Sequence, residues 1–118
     1  MEDISKITRK IIVQTQDRVR IISANEIAYC KSDNCYTFIN LANGDSVLIC
    51  KSLTKFSLQL DPAIFARVSQ SYLVNTLFIR SIDKRNKQIE LENSVVIPFT
   101  TSVKQLLDSI IYEQRLAS

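Results

Sequence analysis

Apolar and polar residues alternate with a period of two through most of the chain. "RVRII" sets Arg18 and Arg20 against Val19 and Ile21, and "QIELEN" sets Ile89 and Leu91 against Glu90 and Glu92. A strand with this spacing has one buried and one solvated face, so Val19 and Ile21 are expected to point inward. "RKIIVQT", "IAYCKS", "YTFINL", "SVLIC" and "FIRSI" read as further short strands between polar turns. Gly44, the only glycine, follows Asn43 in "LANGDS", and an Asn-Gly pair between apolar strands predicts a hairpin, because both residues tolerate positive φ. A second hairpin is expected at "DKRNKQ", where Lys84, Arg85 and Lys87 form the densest basic cluster in the chain. By itself such a cluster describes a solvated turn.

Two segments have helical spacing instead. In "KSLTKFSLQLDP", Leu53, Phe56 and Leu60 fall three and four apart, Ser52 stands at the N-cap, and Asp61-Pro62 supplies the stop. Near the carboxyl end, Ser102 and Gln105 have capping-box spacing, and Val103, Leu106, Leu107, Ile110 and Ile111 form an apolar stripe, which predicts a helix of about three turns. The fold class is thus mostly β with two helices, and no internal repeat is visible. The expected division is a loosely ordered leader over 1–8, one domain over 9–112 and a tail over 113–118.

"FARVSQSYLVN" poses a question, because the polar triplet Ser69-Gln70-Ser71 interrupts an apolar run. Two buried anchors with a polar tip between them would give this pattern, and so would a strand with a polar blemish.

Composition narrows the function. The chain has 118 residues, 46% of them apolar, enough for one domain that buries roughly two thirds of the surface its unfolded chain would expose. It contains no histidine, which excludes a Ser-His-Asp triad, a Cys-His pair and any histidine-ligated metal. Cys30, Cys35 and Cys50 lack the C-x-x-C spacing of a zinc site and are expected to be reduced packing residues. No catalytic group, cofactor or metal is nominated. No apolar run is long enough for a bilayer, and the start is polar, so a cytoplasmic location without membrane contact is expected. A net charge of +3 is only mildly basic.

In order along the chain, "NEIAYCKSDNCYTFINLANG", "SLTKF", "FARVSQSYLVN", "IRSI", "QIELEN" and "VVIPFTTSVKQLL" resemble the LytTR-type DNA-binding domain of bacterial transcription regulators. Phe65, Arg67, Ser71, Tyr72, Val74 and Asn75 match one family motif position by position, and Ile97-Pro98 matches another. The resemblance implies an elongated arrangement of short antiparallel sheets with a short central helix and a carboxyl-terminal amphipathic helix, whose loops enter DNA grooves, often within two-component signalling. It also implies that Val68, Tyr72 and Val74 are buried anchors and that Ser69 and Gln70 form the tip. The residues it nominates for DNA contact are Asn34, Tyr36, Ser69, Gln70, Thr101 and Lys104, and Lys51 with Ser52, and Ser102, join them as helix starts whose unpaired N–H groups can meet a phosphate. The sequence departs from the family at three of them: Ser69 replaces a frequent histidine, Gln70 an arginine or asparagine, and Thr101 a basic residue. Glutamine can still bond an adenine edge, and serine or threonine can reach phosphate.

Two readings follow. One is sequence-preferring binding of double-stranded DNA in transcription regulation. The other is a protein-interaction or dimerisation module, pairing with a second copy or a partner regulator, that keeps the fold and has lost groove contacts.

Overall fold

The computed structural model describes residues 10–110. The expected leader and tail, and Ile111, lie outside the described residues. Among the described residues, ten strands and two short helices follow the order β1 (Lys10–Gln14), β2 (Val19–Ser23), β3 (Ile27–Asp33), β4 (Tyr36–Leu41), β5 (Ser46–Ile49), α1 (Leu53–Ser57), β6 (Phe65–Arg67), β7 (Tyr72–Asn75), β8 (Ile79–Asp83), β9 (Gln88–Leu91), β10 (Val96–Pro98) and α2 (Val103–Asp108). Short 3-10 turns at Ala24–Glu26 and Thr76–Phe78 lead into β3 and β8.

Period-two alternation builds three stacked layers. The middle layer is a five-stranded antiparallel sheet in the order β5-β4-β3-β7-β6. Cys30, Ile39, Val47, Ile49 and Leu73 point to one face, where Ile11, Val13 and Ile22 of the β1–β2 hairpin and Leu53 and Phe56 of α1 cover them. Val74 points to the other face and packs with Ile89, Leu91 and Ile97 of the three-stranded sheet β10-β9-β8 and with Leu106 of α2. Each such aliphatic side chain, buried in full, contributes about 1.5–3 kcal/mol. The molecule is an elongated slab of 49 × 39 × 23 Å.

Four expectations need correction. In β2 the phase is reversed: Val19 and Ile21 are exposed, at 62% and 66%, and Ile22 is buried. Both Ile21 and Ile22 are apolar, so alternation alone left the phase open. Pairing of Ile11 with Ile22 sends that pair inward and its neighbours Ile12 and Ile21 outward.

The carboxyl-terminal helix covers Val103–Asp108, less than the three turns expected. It closes where the Ser109 hydroxyl donates to the Leu106 carbonyl at 2.7 Å. Among the described residues of its stripe only Leu106 is buried, and Leu107 is exposed. Similarly, α1 ends at Ser57, and Leu60 reaches the core from the turn that follows.

Among the cysteines only Cys30 is a packing residue, its thiol pushed up to about 12 by burial. Cys50 follows Ile49 on the outward phase of β5, and Cys35 sits in the turn beyond the last buried layer, so both are exposed.

A repeat invisible in the sequence is plain in the fold. Each 3-10 turn is followed by a strand with an irregularity after its first residue, at Ile27/Tyr29 and at Ile79/Ser81. A return strand and a four-residue loop then lead to a third strand. In both loops the closing bonds are the same: Leu41 N–H to Asp45 carbonyl and Gly44 N–H to Leu41 carbonyl in the first, Leu91 N–H to Val95 carbonyl and Ser94 N–H to Leu91 carbonyl in the second. Ala42 N–H bonds the Glu26 carbonyl at 2.8 Å, and Glu92 N–H bonds the Phe78 carbonyl at 2.8 Å. The left-handed residue is Gly44, at φ 96°, in one loop and Ser94, at φ 70°, in the other. Asn43 does not share the positive φ that its pairing with Gly44 suggests.

Candidate nucleic-acid interface

Strand register decides which loops share an end of the middle sheet. Asp33 pairs with Tyr36, Thr37 with Ile49, Lys31 with Tyr72, and Arg67 with Leu73. The β3–β4 turn, the β5–α1 connection and the β6–β7 turn therefore all emerge at one end. The Gly44 loop emerges at the other, and the Ser94 loop lies at the end of its own three-stranded sheet away from the β8–β9 turn. With neighbouring strands about 4.8 Å apart, β5 and β6 are separated by roughly 19 Å, so the first end is a ridge of that width.

Along this ridge stand most of the nominated residues. Lys51 follows β5, exposed, its carbonyl accepting from the Thr37 hydroxyl at 2.7 Å. Asn34 occupies the β3–β4 turn in left-handed geometry at φ 58°, which asparagine adopts at low cost, and Tyr36 beside it is exposed. Ser32 N–H bonds the Ser71 carbonyl at 2.8 Å, fastening this turn to the next.

The β6–β7 turn answers the question raised by the polar triplet. Val68 and Val74 are buried and Tyr72 is half-buried, while Gln70 and Ser71 are exposed at the tip. Val68 N–H bonds the Tyr72 carbonyl at 3.0 Å, and the Ser69 hydroxyl accepts from Ser71 N–H at 3.2 Å. Beneath the tip lies Arg67, which sequence reasoning matched but gave no role. Its guanidinium donates to the Ser69 carbonyl at 2.9 Å, the Gln70 carbonyl at 2.6 Å and the Thr54 hydroxyl at 3.3 Å. A planar fork of donors suits this bracing, which ties the tip to α1.

The ridge continues past β6. Thr100 N–H bonds the Val68 carbonyl at 2.9 Å and Thr101 N–H reaches it at 3.4 Å. The Thr101 hydroxyl is itself buried without a partner among the described residues, so this residue does not present its polar atom outward. Ser102 and Ser52 are occupied as N-caps: Ser102 Oγ accepts from Gln105 N–H at 3.0 Å and Ser52 Oγ from Lys55 N–H at 3.2 Å. Lys104 lies on the exposed side of α2 beside Asp108, at 3.5 Å. That exposed pair contributes at most about 1 kcal/mol and is readily exchanged for another anion.

Sequence reasoning did not nominate Lys87, which the fold brings to the same place. Its Nζ donates to the Thr101 carbonyl at 2.8 Å and sits 4.6 Å from the centre of the Phe99 ring. Its carbonyl accepts from Phe99 N–H at 3.0 Å. Membership of the basic cluster was the only signal in the sequence.

Among the described residues, no group of three or more Cys, Asp or Glu could hold a metal ion. The ridge offers amides, hydroxyls and cations instead, the groups that reach phosphates and base edges.

The family of the LytTr DNA-binding domain matches residues 17–111. No curated protein matches the chain. A solved structure of a LytTr DNA-binding domain from Bacillus cereus, part of a protein described as a methyl-accepting/DNA response regulator, superposes with a TM-score of 0.69 at 20% identity. The match covers 83% of this chain and 92% of that one, a likeness of fold. With the family pattern running across nearly the whole of the described structure, the chain belongs to the LytTr DNA-binding domain family.

Proposed function

We propose that this domain binds double-stranded DNA with sequence preference and serves in bacterial transcription regulation in the cytoplasm, within a two-component pathway. The observation that carries the reading is the convergence of Asn34, Lys51 and Gln70 on one ridge, next to the start of α2. At roughly 19 Å, the ridge is wide enough to cross a major groove of about 12 Å and reach the phosphates on both sides. Gln70 and Asn34 are the base readers, since a carboxamide bonds adenine in bidentate fashion. Lys51 and Lys104 contact phosphate, joined by the hydroxyls of Ser69, Ser52 and Ser102, and Tyr36 packs against the backbone. Thr101 contributes its backbone to the scaffold.

The test is selection of bound duplexes from a random library, followed by Gln70→Ala on the selected sequence. Preference at one base step should relax by roughly 1–3 kcal/mol. Recovery of no enriched sequence would refute sequence preference, and no binding at any salt concentration would refute DNA binding.

One observation favours the second reading, a protein-interaction or dimerisation module. Ile12, Val19 and Ile21, at 61%, 62% and 66% exposure, share the outer face of the β1–β2 hairpin. That face lies on a different layer from the ridge, so it leaves the DNA reading intact. Sedimentation of Ile21→Lys beside the unaltered chain separates the cases: a dimer lost on substitution supports an apolar contact there, and an unchanged monomer removes it.

A further inference from the structure

Lys84, Arg85 and Lys87 are the densest basic cluster in the chain, and the reading above does not use them. In the fold they occupy the β8–β9 turn, between Asp83 and Gln88, which pair with each other. Three features set this turn apart from a solvated loop.

The first is its order. Asp83 Oδ1 accepts from Arg85 N–H at 3.1 Å and Asn86 N–H at 3.0 Å, and Asp83 Oδ2 accepts from the Asn86 amide at 2.8 Å. The carboxylate is thereby engaged with the turn's own donors, while Lys84 and Arg85 stay exposed. The second is Lys87, held at φ 55°, a conformation that side chains other than Gly, Asn or Asp seldom adopt. It turns the lysine back onto Phe99 and the Thr101 carbonyl, where the ammonium spends one of its three donors. The third is place. Thr100 and Thr101 bond to Val68, the residue before Ser69, so the turn is fastened to the end of the ridge that carries Gln70.

We propose that the β8–β9 turn is a second arm of the interface that grips the phosphate backbone by charge alone. Lys84 and Arg85 supply the contacts, and Lys87 is the positioning residue that locks the arm to the start of α2. The ligand is the sugar-phosphate backbone of duplex DNA beyond the segment that Gln70 reads. Of the exposed carboxamides beside these cations, Asn86 is engaged by Asp83 and Gln88 sits behind the turn at the start of β9, paired with Asp83 and Pro98, so Lys84 and Arg85 lead and the arm adds affinity without sequence information.

This inference rests on the DNA reading, and its test separates the two. Affinity for one selected duplex would be measured against salt for the unaltered chain, for Lys84→Gln/Arg85→Gln, for Lys87→Gln, and for Arg18→Gln as a charge control on the β1–β2 hairpin. Losing two phosphate contacts should flatten the slope of log K against log salt by about 1.8. Arg18→Gln should leave the slope unchanged, and base preference should survive in the double variant. Lys87→Gln should flatten the slope and also weaken the effect of the Lys84/Arg85 change, an interaction that a merely structural lysine would not produce. If the unaltered chain binds and the double variant keeps its slope, the arm is refuted and the DNA reading stands. If the unaltered chain binds no duplex, both fall.

Discussion

The two repeated units, one running from Ala24 to Ile49 and the other from Thr76 to Pro98, use the same backbone device in different surroundings. In the first, β3 and β4 are interior strands of the five-stranded sheet, and Ile27, Ala28, Cys30 and Ile39 have no exposed surface. In the second, the three-stranded sheet packs on one side only, through Ile89, Leu91 and Ile97. The far turns diverge as well. The first is tight, with Asn34 at its head, and the second is a longer basic turn. One fold device thus carries an amide-bearing tip in one copy and a charged arm in the other. The loops that close both units at the opposite end remain alike. Shared scaffolding and divergent tips are expected where the tips carry function and the loops carry only geometry.

Core truncation should give the largest effects. Ile39→Ala and Leu91→Ala each empty a fully buried site, one per unit, and should cost about 2–5 kcal/mol in denaturant unfolding. A single transition in both variants would show that the units fold as one body. Separate melting of the second sheet in Leu91→Ala would break that equivalence.

Asn75 comes next, because it joins the units. It is buried, its amide donates to the Ile27 carbonyl at 2.9 Å, and its oxygen accepts from Leu77 N–H at 3.0 Å. Asn75→Ala leaves both groups to find other partners and should cost about 1–3 kcal/mol.

The paired loops sharpen the comparison further. At φ 96°, Gly44→Ala meets no atom within 4 Å, so its cost is backbone strain alone, about 1–2 kcal/mol. Ser94→Gly relieves the same strain in the other unit and should stabilise by about 0.5 kcal/mol, after the entropic cost of glycine is subtracted. Opposite signs in thermal melts would confirm that the two positions are equivalent.

The smallest effect concerns pH. Hydrogen bonds from Asn86, opposed in part by burial and assisted by Arg85, hold the Asp83 carboxyl below its ordinary 3.8. A depressed folded value means that its contribution is complete above that ordinary value and is lost as pH falls through the folded one. Asp83→Asn should flatten this acid limb in melting curves.

Strand existence, both hairpins, the polar tip between Val68 and Tyr72 and the start of each helix were legible in the sequence, because alternation, turn residues and caps act locally. What was not legible depended on pairing across the chain. The phase of β2 was settled by Ile11 opposite Ile22, and Cys35 lost its expected burial because the sheet ended before it. The repeat escaped notice because little beyond Ile, Leu and Asn recurs between "INLANGDSV" and "IELENSVVI". Backbone bonds define it instead. Lys87 was missed for a related reason, since its partner Thr101 is fourteen residues away in sequence.

Whether one end of the molecule meets DNA is read residue by residue from amide chemical shifts during titration with a selected duplex. The largest shifts are expected at Asn34–Tyr36, Lys51–Ser52, Ser69–Ser71, Lys84–Lys87 and Thr100–Lys104. The Gly44 and Ser94 loops and the β1–β2 hairpin should stay still. Shifts concentrated in those loops or in the hairpin, with the ridge unmoved, would contradict DNA binding at this end.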